Sequence, residues 1–274
     1  MSDVSDHYSR GGLLSRLNAA LAADGSDPDR PTADALAPYD HFHGRGLEAT
    51  IEIADRMPAH PGDHLLDIGC GIGGPARYVA TRFACRVTGI DLTAEFVEVA
   101  RHLTRLAGLD DRVRFETGDA LAMPFADGAF AGAYSMNVSM NIADKPAFYR
   151  QIHRVLAPDG WLVLSELARG EGGEPDYPTP WANSARTSFL ATSDETRAGL
   201  QKGGFDVVQL RSSAEAARAS AARSRAMVER GEKPPHRAVM LMHAELAGDA
   251  MANSARALLD GRVIPIEVLA RKRA

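Results

Sequence analysis

Asp67, Gly69, Gly71, Gly73 and Asp91 are the residues whose types and spacing point most directly to chemistry. The run Leu65-Leu66-Asp67-Ile68-Gly69-Cys70-Gly71-Ile72-Gly73-Gly74 joins an apolar segment ending in an acid to a glycine-rich turn. Glycines at 69, 71 and 74 have the spacing of a dinucleotide fingerprint, in which missing side chains let backbone amides approach a ligand. Pro75 opens the following helix, where its fixed φ fits and no amide is needed. Asp91 lies 24 residues after Asp67 and closes Val87-Thr88-Gly89-Ile90-Asp91. A carboxylate there can accept from both hydroxyls of a ribose; a solvated acid at a strand end is the alternative. In Gly118-Asp119-Ala120-Leu121, Asp119 can accept from an adenine amine and Ala120 can offer its amide to the ring, or the segment is a plain β-turn.

These residues need strand ends to carry them. Period-two apolar runs predict strands at Leu65–Ile68, Arg86–Asp91, Val113–Thr117, Phe130–Met136, Trp161–Glu166, Asp206–Leu210 and Val263–Ala270. Helices are expected between them at Pro75–Phe83, Ala94–Ala107, Pro146–Leu156 and Asp194–Lys202, with Thr93, Asp144 and Ser193 as N-caps. Alternation of this kind predicts an α/β, doubly wound, mostly parallel sheet covered by helices on both faces, with ligands at the carboxyl ends of strands. Ahead of it, Leu13, Leu14, Leu17 and Leu21 share one face of a short helix that Asp24-Gly25-Ser26-Asp27-Pro28 breaks. Residues 1–45 therefore read as a helical arm over the site and 46–274 as the main domain, which starts with a helix from about Gly46 to Met57. Residues 212–261, rich in Ala, Arg and Met, are too long for a loop and read as a two-helix lid before the last strand.

Composition narrows the partners. The chain has 274 residues, 45% of them hydrophobic and 24% charged, with a formal charge of −5. That balance argues against a polyanionic partner, because phosphate-backbone binding rests on clustered Lys and Arg, and Arg271-Lys272-Arg273 reads as a solvated tail. No apolar run reaches the roughly 18 residues of a membrane span, and the polar, acidic start lacks the features of a secretory signal, so a cytoplasmic location is expected. Cys70 and Cys85 read as buried free thiols rather than a disulfide or a metal site.

Asp67-Ile68-Gly69-Cys70-Gly71-Ile72-Gly73 resembles the first motif of class I S-adenosylmethionine-dependent methyltransferases, where an acid two positions before the first glycine is characteristic. Asp91 and Gly118-Asp119-Ala120 match that family's second and third motifs, and the resemblance covers roughly residues 60 to 211. Tyr39-Asp40-His41-Phe42-His43-Gly44-Arg45-Gly46 and Met140-Asn141-Ile142 resemble the small-molecule subgroup that includes sarcosine/dimethylglycine N-methyltransferase-like and ubiquinone-pathway-like enzymes. The resemblance implies a Rossmann-like seven-stranded sheet with the last strand antiparallel, and S-adenosylmethionine as cofactor. It further implies cofactor contacts from Asp67, Gly69, Gly71, Gly73, Asp91, Leu92, Asp119, Ala120 and Met136, and a small-molecule acceptor methylated on N, O or C. A homo-oligomer stays open and no metal is expected.

The acceptor side is read from rim positions. Glu166 ends the fifth strand where relatives often carry an acid, and is the first choice for a base or substrate anchor, against a structural hydrogen bond. His41 and His43 flank Phe42 near the arm, and an imidazole there, His41 in the first place, can take a proton at neutral pH, against local capping or packing. Tyr39, Asn137, Trp181, Met240 and His243 are expected to contact the acceptor, with core packing the alternative for Tyr39 and the methionines. Many relatives carry His at position 137; Asn137 here provides no imidazole. Two other functions stay open: a nicotinamide-dependent oxidoreductase, disfavoured by the charge of Asp67 beside a pyrophosphate, and a nucleoside-binding scaffold without chemistry, for which Asn137 and Ala131 leave room.

Overall fold

The computed structural model describes residues 11–273 of the chain. Seven strands form one sheet: β1 (His64–Ile68), β2 (Arg86–Asp91), β3 (Val113–Thr117), β4 (Phe130–Met136), β5 (Leu156–Arg169), β6 (Phe205–Ser212) and β7 (Val263–Lys272). Their order is β3-β2-β1-β4-β5-β7-β6. β1 runs parallel to both β2 and β4, whereas β7 is antiparallel to β5 and to β6. The winding reverses between β1 and β4, so their two C-terminal ends flank a crevice that no crossover covers.

Helices cover both faces. α3 (Leu47–Ala54), α4 (Gly74–Phe83) and α5 (Ala94–Leu106) lie on one side, where Ile53, Val79, Val97 and Ala100 pack against Leu65, Val87 and Val163. α6 (Lys145–Val155) and α7 (Ser193–Lys202) lie on the other, where Phe148, Ile152 and Leu200 pack against Leu66, Ile68, Leu162 and Leu164. The alternation Leu65/Leu66 between the two cores is the period-two pattern of a strand buried on both faces. Asp144 caps α6 by accepting from Ala147 N at 2.9 Å. Thr192, not the expected Ser193, caps α7 through a reciprocal capping box with Glu195, because its hydroxyl is the one positioned three residues before that amide.

Among the described residues, α1 (Leu13–Ala23) and α2 (Ala33–Asp40) precede α3; residues 1–10 of the expected arm lie outside the described residues. α5 explains why they dock. It is apolar on two sides: Val97 and Ala100 face the sheet, while Phe96, Val99 and Leu103 meet Leu13, Leu17, Leu21 and Leu36. Glu95 of α5 also closes the start of α1, accepting from Leu13 N at 2.8 Å and Gly11 N at 3.2 Å. That satisfies amides which have no partner within a helix.

Between β6 and β7 the structure has three α-helices rather than two: α8 (Ala214–Glu229), α9 (Ala238–His243) and α10 (Ala247–Leu259). The break falls at Gly231-Glu232-Lys233-Pro234-Pro235, where consecutive prolines cannot continue a helix. Leu241 and Met242 of α9 join the arm's core, and Arg237 ties the segment to Tyr39 and Asp24. Among the described residues, no helix is long and apolar enough to cross a membrane.

Candidate active site

The site grows out of the turn after β1. Gly69, Gly71 and Gly73 all hold positive φ, at 75°, 52° and 81°. A Cβ on Gly69 would sit 2.2 Å from Val138 Cγ2, and one on Gly73 would sit 2.5 Å from Phe115 Cζ. Both the conformation and the close approach therefore require glycine. The turn is then tied to β2: Asp91 accepts from Gly71 N at 2.9 Å through Oδ2 and from Thr93 N at 2.9 Å through Oδ1. Each carboxylate oxygen keeps a further lone pair for a ligand.

A small cleft opens at this end of the sheet, lined by Asp40, Phe42, His43, Asp67, Gly69, Cys70, Gly71, Pro75 and Met136. Asp67 is the chemical centre of its floor. Its carboxyl is 2% exposed, and Oδ2 has no hydrogen-bond partner. Burial, reinforced by the charge of Asp91 and opposed by the Tyr134 hydroxyl, pushes its pKa up to about 8. A buried carboxyl of this kind is satisfied by a cationic donor. Burial also raises Asp91 above its usual range, against the Thr93 and Gly71 amides.

The arm forms the opposite wall. Phe42 lies over the glycine turn, with ring atoms 3.3 Å from where a Gly71 Cβ would be, and meets Phe96 edge-on at 5.3 Å. Asp40 anchors this segment: Arg77 of α4 donates to its Oδ2 at 2.8 Å.

The expected residues divide by location. Asp67, Gly69, Gly71 and Met136 meet in the cleft, Gly73 belongs to the same turn, and Asp91 reaches it through Gly71. Leu92 is 41% exposed beside Asp91. Asp119 lies exposed past the end of β3, accepting from Leu121 N at 2.8 Å in a local turn, with Ala120 half-buried next to it. Asn137 follows β4 at φ 58°, a conformation asparagine tolerates, and its amide donates to Ser165 O at 2.7 Å.

Several acceptor-side expectations meet other partners. The Tyr39 hydroxyl bonds Asp24 Oδ2 at 2.7 Å and receives from Arg237 at 3.0 Å, so it serves the arm-to-α9 contact. Trp181 is 2% exposed among Met140, Ala182, Ala257 and Val263, and its Nε1 donates to Ser188 Oγ at 3.0 Å. Its indole packs as core. Met240 is 61% exposed, while its neighbours Leu241 and Met242 turn inward. His243 ends α9, with its side chain outside the described part. His41 does not line the cleft. Its Nδ1 pairs with Thr50 Oγ1 at 2.8 Å.

Glu166 is fully enclosed, and both oxygens stand 3.1 Å from Ser139 N, fastening the turn after β4 to β5. Lys145 reinforces that turn by donating to Ser139 O at 2.6 Å. Burial raises Glu166 to about 7, against the Ser139 amide and the Lys145 charge. The cleft residues that sequence reading left without a role are Asp40, Phe42 and Cys70. Two lie in the Tyr39–Gly46 segment and one in the glycine turn, so the motifs marked the place without separating wall from support, and of the two histidines paired there it is His43 that lines the cleft.

A doubly wound sheet with this strand order, and a glycine-lined cleft at its switch point floored by Asp67, defines a nucleoside-handling methyltransferase fold. Residues 66–164 match the family described as "Methyltransferase domain". The chain is 30% identical over 216 residues to Methyltransferase GfsG of Streptomyces halstedii, across 76% of this chain and 74% of that protein. In solved structures it is similar to the [4+2]-cyclase SpnF, at 25% identity and TM-score 0.69, covering 96% and 93% of the two chains. It also shares the fold of geranyl diphosphate C-methyltransferase from Streptomyces coelicolor A3(2), solved with Mg2+, geranyl-S-thiolodiphosphate and S-adenosyl-L-homocysteine. That match has 17% identity and TM-score 0.73 and covers 98% and 96% of the chains. The chain belongs to the class I S-adenosylmethionine-dependent methyltransferases.

Proposed function

We propose that this enzyme methylates an N, O or C atom of a small metabolite, with the donor seated in the cleft between the glycine turn and Phe42. The observation that carries the reading is Asp67: a buried carboxyl with an orphaned oxygen, at the floor of a cleft walled by glycine backbone. The ammonium of the donor's amino-acid portion fits the Asp67 carboxyl, and Asp91 fits the ribose hydroxyls. Leu92, Asp119 and Ala120 lie where the adenine end would reach. S-adenosylmethionine supplies an electrophilic methyl on a sulfonium; the chain's residues bind it, orient it and exclude water.

Residues 11–45 and α9 share a core with α5 beside the cleft, which supports their action as a cover over donor and acceptor. The negative formal charge supports a small-molecule partner rather than nucleic acid, and two free, buried thiols support a cytoplasmic setting. We leave a homo-oligomer to light scattering. Incubating the protein with S-adenosylmethionine labelled in the methyl group and fractionated metabolite extract tests the function. Label is expected in a small product that appears in step with S-adenosylhomocysteine. Tight donor binding without transfer to any fraction would favour a scaffold or a non-methylating use of the fold.

A further inference from the structure

A buried line of polar groups links two residues of the cleft wall, Asp40 and His43, through His41 and Thr50 behind it. Asp40 Oδ1 lies 3.4 Å from His41 Nε2, an ion-pair approach rather than a hydrogen bond. His41 Nδ1 is 2.8 Å from Thr50 Oγ1, and the same hydroxyl is 2.9 Å from His43 Nε2. A hydroxyl has one proton, so Thr50 donates to one ring and accepts from the other. The Asp40 carboxylate beside His41 Nε2 favours the tautomer protonated there, leaving His41 Nδ1 to accept from Thr50. Thr50 then accepts from His43 Nε2–H, and the free lone pair of His43 falls on Nδ1. That atom is buried with no hydrogen-bond partner, on a side chain 5% exposed that lines the cleft beside Asp67, Gly69 and Met136. A purely structural histidine would have both nitrogens engaged.

We propose that His43 takes the proton released by the methyl acceptor, and that Thr50, His41 and Asp40 position it and draw that proton away from the cleft. The proposal rests on the methyltransferase reading and narrows the acceptor to an N–H or O–H group. In the step, a lone pair of that group forms the bond to the methyl carbon. The carbon–sulfur bond breaks with its electron pair going to sulfur, and the acceptor's proton goes to His43 Nδ1. The Nε2 proton of His43 passes to Thr50 Oγ1 while the Thr50 proton moves to His41 Nδ1, so the positive charge ends on His41 beside the Asp40 carboxylate.

The surroundings suit this direction of transfer. Burial is the largest influence on both rings and holds both below the usual imidazole range, so the lone pair is present at neutral pH. Asp40 favours the cation on His41 against Arg77, whereas His41, His236 and Arg45 all disfavour it on His43. His236, 3.0 Å from His41 O, is itself pushed down to about 4 by burial and stays neutral.

The test uses the full chain labelled with 15N-histidine, in which long-range proton–nitrogen spectra read each tautomer without an acceptor. His41 and His43 are both expected as Nε2–H tautomers, and Thr50→Val is expected to shift the His41 Nδ1 and His43 Nε2 resonances together. With the acceptor found by the labelling assay, His43→Gln is expected to lower kcat about 100-fold, the lower end for loss of a general base, with the donor KM within about threefold. Thr50→Val should lower kcat less and move the acid limb of the pH profile, and Thr50→Ser should restore both. An Nδ1–H tautomer at His43, or kcat of His43→Gln within about threefold of wild type, overturns the proposal. Absence of S-adenosylhomocysteine binding by the wild type would count instead against the methyltransferase reading, and the tautomers would still decide the relay.

Discussion

Asp67 has a cost that the donor is built to remove. Its pKa rises from 3.8 to about 8 in the folded chain, so the folded state binds a proton that the unfolded state has released across that interval. Donor-free protein therefore loses stability as pH climbs from about 4 toward 8, and nothing is lost below that window. Asp67→Asn is expected to match wild type in melting temperature near pH 4 and to exceed it at pH 8. The same substitution should weaken S-adenosylhomocysteine binding by ~1–3 kcal/mol, the scale for losing a charged partner in a buried site. A parallel rise of both proteins with pH would contradict the assignment. For Glu166, both oxygens meet one amide, so Glu166→Ala should destabilise the fold by ~1–3 kcal/mol through the exposed Ser139 amide. Denaturant titration checks it. These two acids also show what sequence could and could not resolve. Asp67 was legible because the glycines after it fix its place on the turn. Glu166 has the same type and a similar strand-end position, and only the path of the turn after β4 decides that it faces Ser139.

α5 decides how the arm meets the sheet through two apolar sides, Phe96, Val99 and Leu103 on one and Val97 and Ala100 on the other. The sequence showed the helix, and the structure shows what its two sides pack against. The leucines of α1 predicted a helix, and the structure gives each a place in one core with α5 and α9. Leu17 is fully buried there, so Leu17→Ala should cost ~2–5 kcal/mol by opening a cavity. Hydrogen exchange should rise across residues 13–40 before the sheet responds. If the arm covers the donor, S-adenosylhomocysteine affinity falls with it; unchanged affinity would leave the arm as packing alone. The three helices between β6 and β7 were legible as helical composition but not as a count. The packing alternative for Tyr39 could not be resolved for a related reason: its partners Asp24 and Arg237 come from segments far apart in sequence, and no local pattern reports such a meeting.

The seven-stranded sheet was readable almost strand by strand, because the central strands β1, β4 and β5 are buried on both faces and the rest are bounded by turn chemistry. The reversed β7 came from family resemblance, since periodicity carries no direction. The molecule's switch point then gathers the glycine turn, two acids and the arm at one end, and a ligand binding there should couple to global stability. S-adenosylhomocysteine at 100 times its Kd adds ~2.7 kcal/mol to a protein that binds it only when folded, which raises the melting temperature by about 5–10 °C for a chain of this size. NADH at the same concentration should leave it unchanged.

Calorimetric titration of the full chain with S-adenosylhomocysteine, alongside Asp91→Ala and with NADH as the competing ligand, tests the central claim most directly. We predict one saturable site for the nucleoside thioether, weakened by ~1–3 kcal/mol when Asp91 is removed, and no heat from NADH. No binding of the thioether, or an affinity indifferent to Asp91 while NADH saturates the protein, would contradict a methyl donor lying at the ends of β1, β2 and β4.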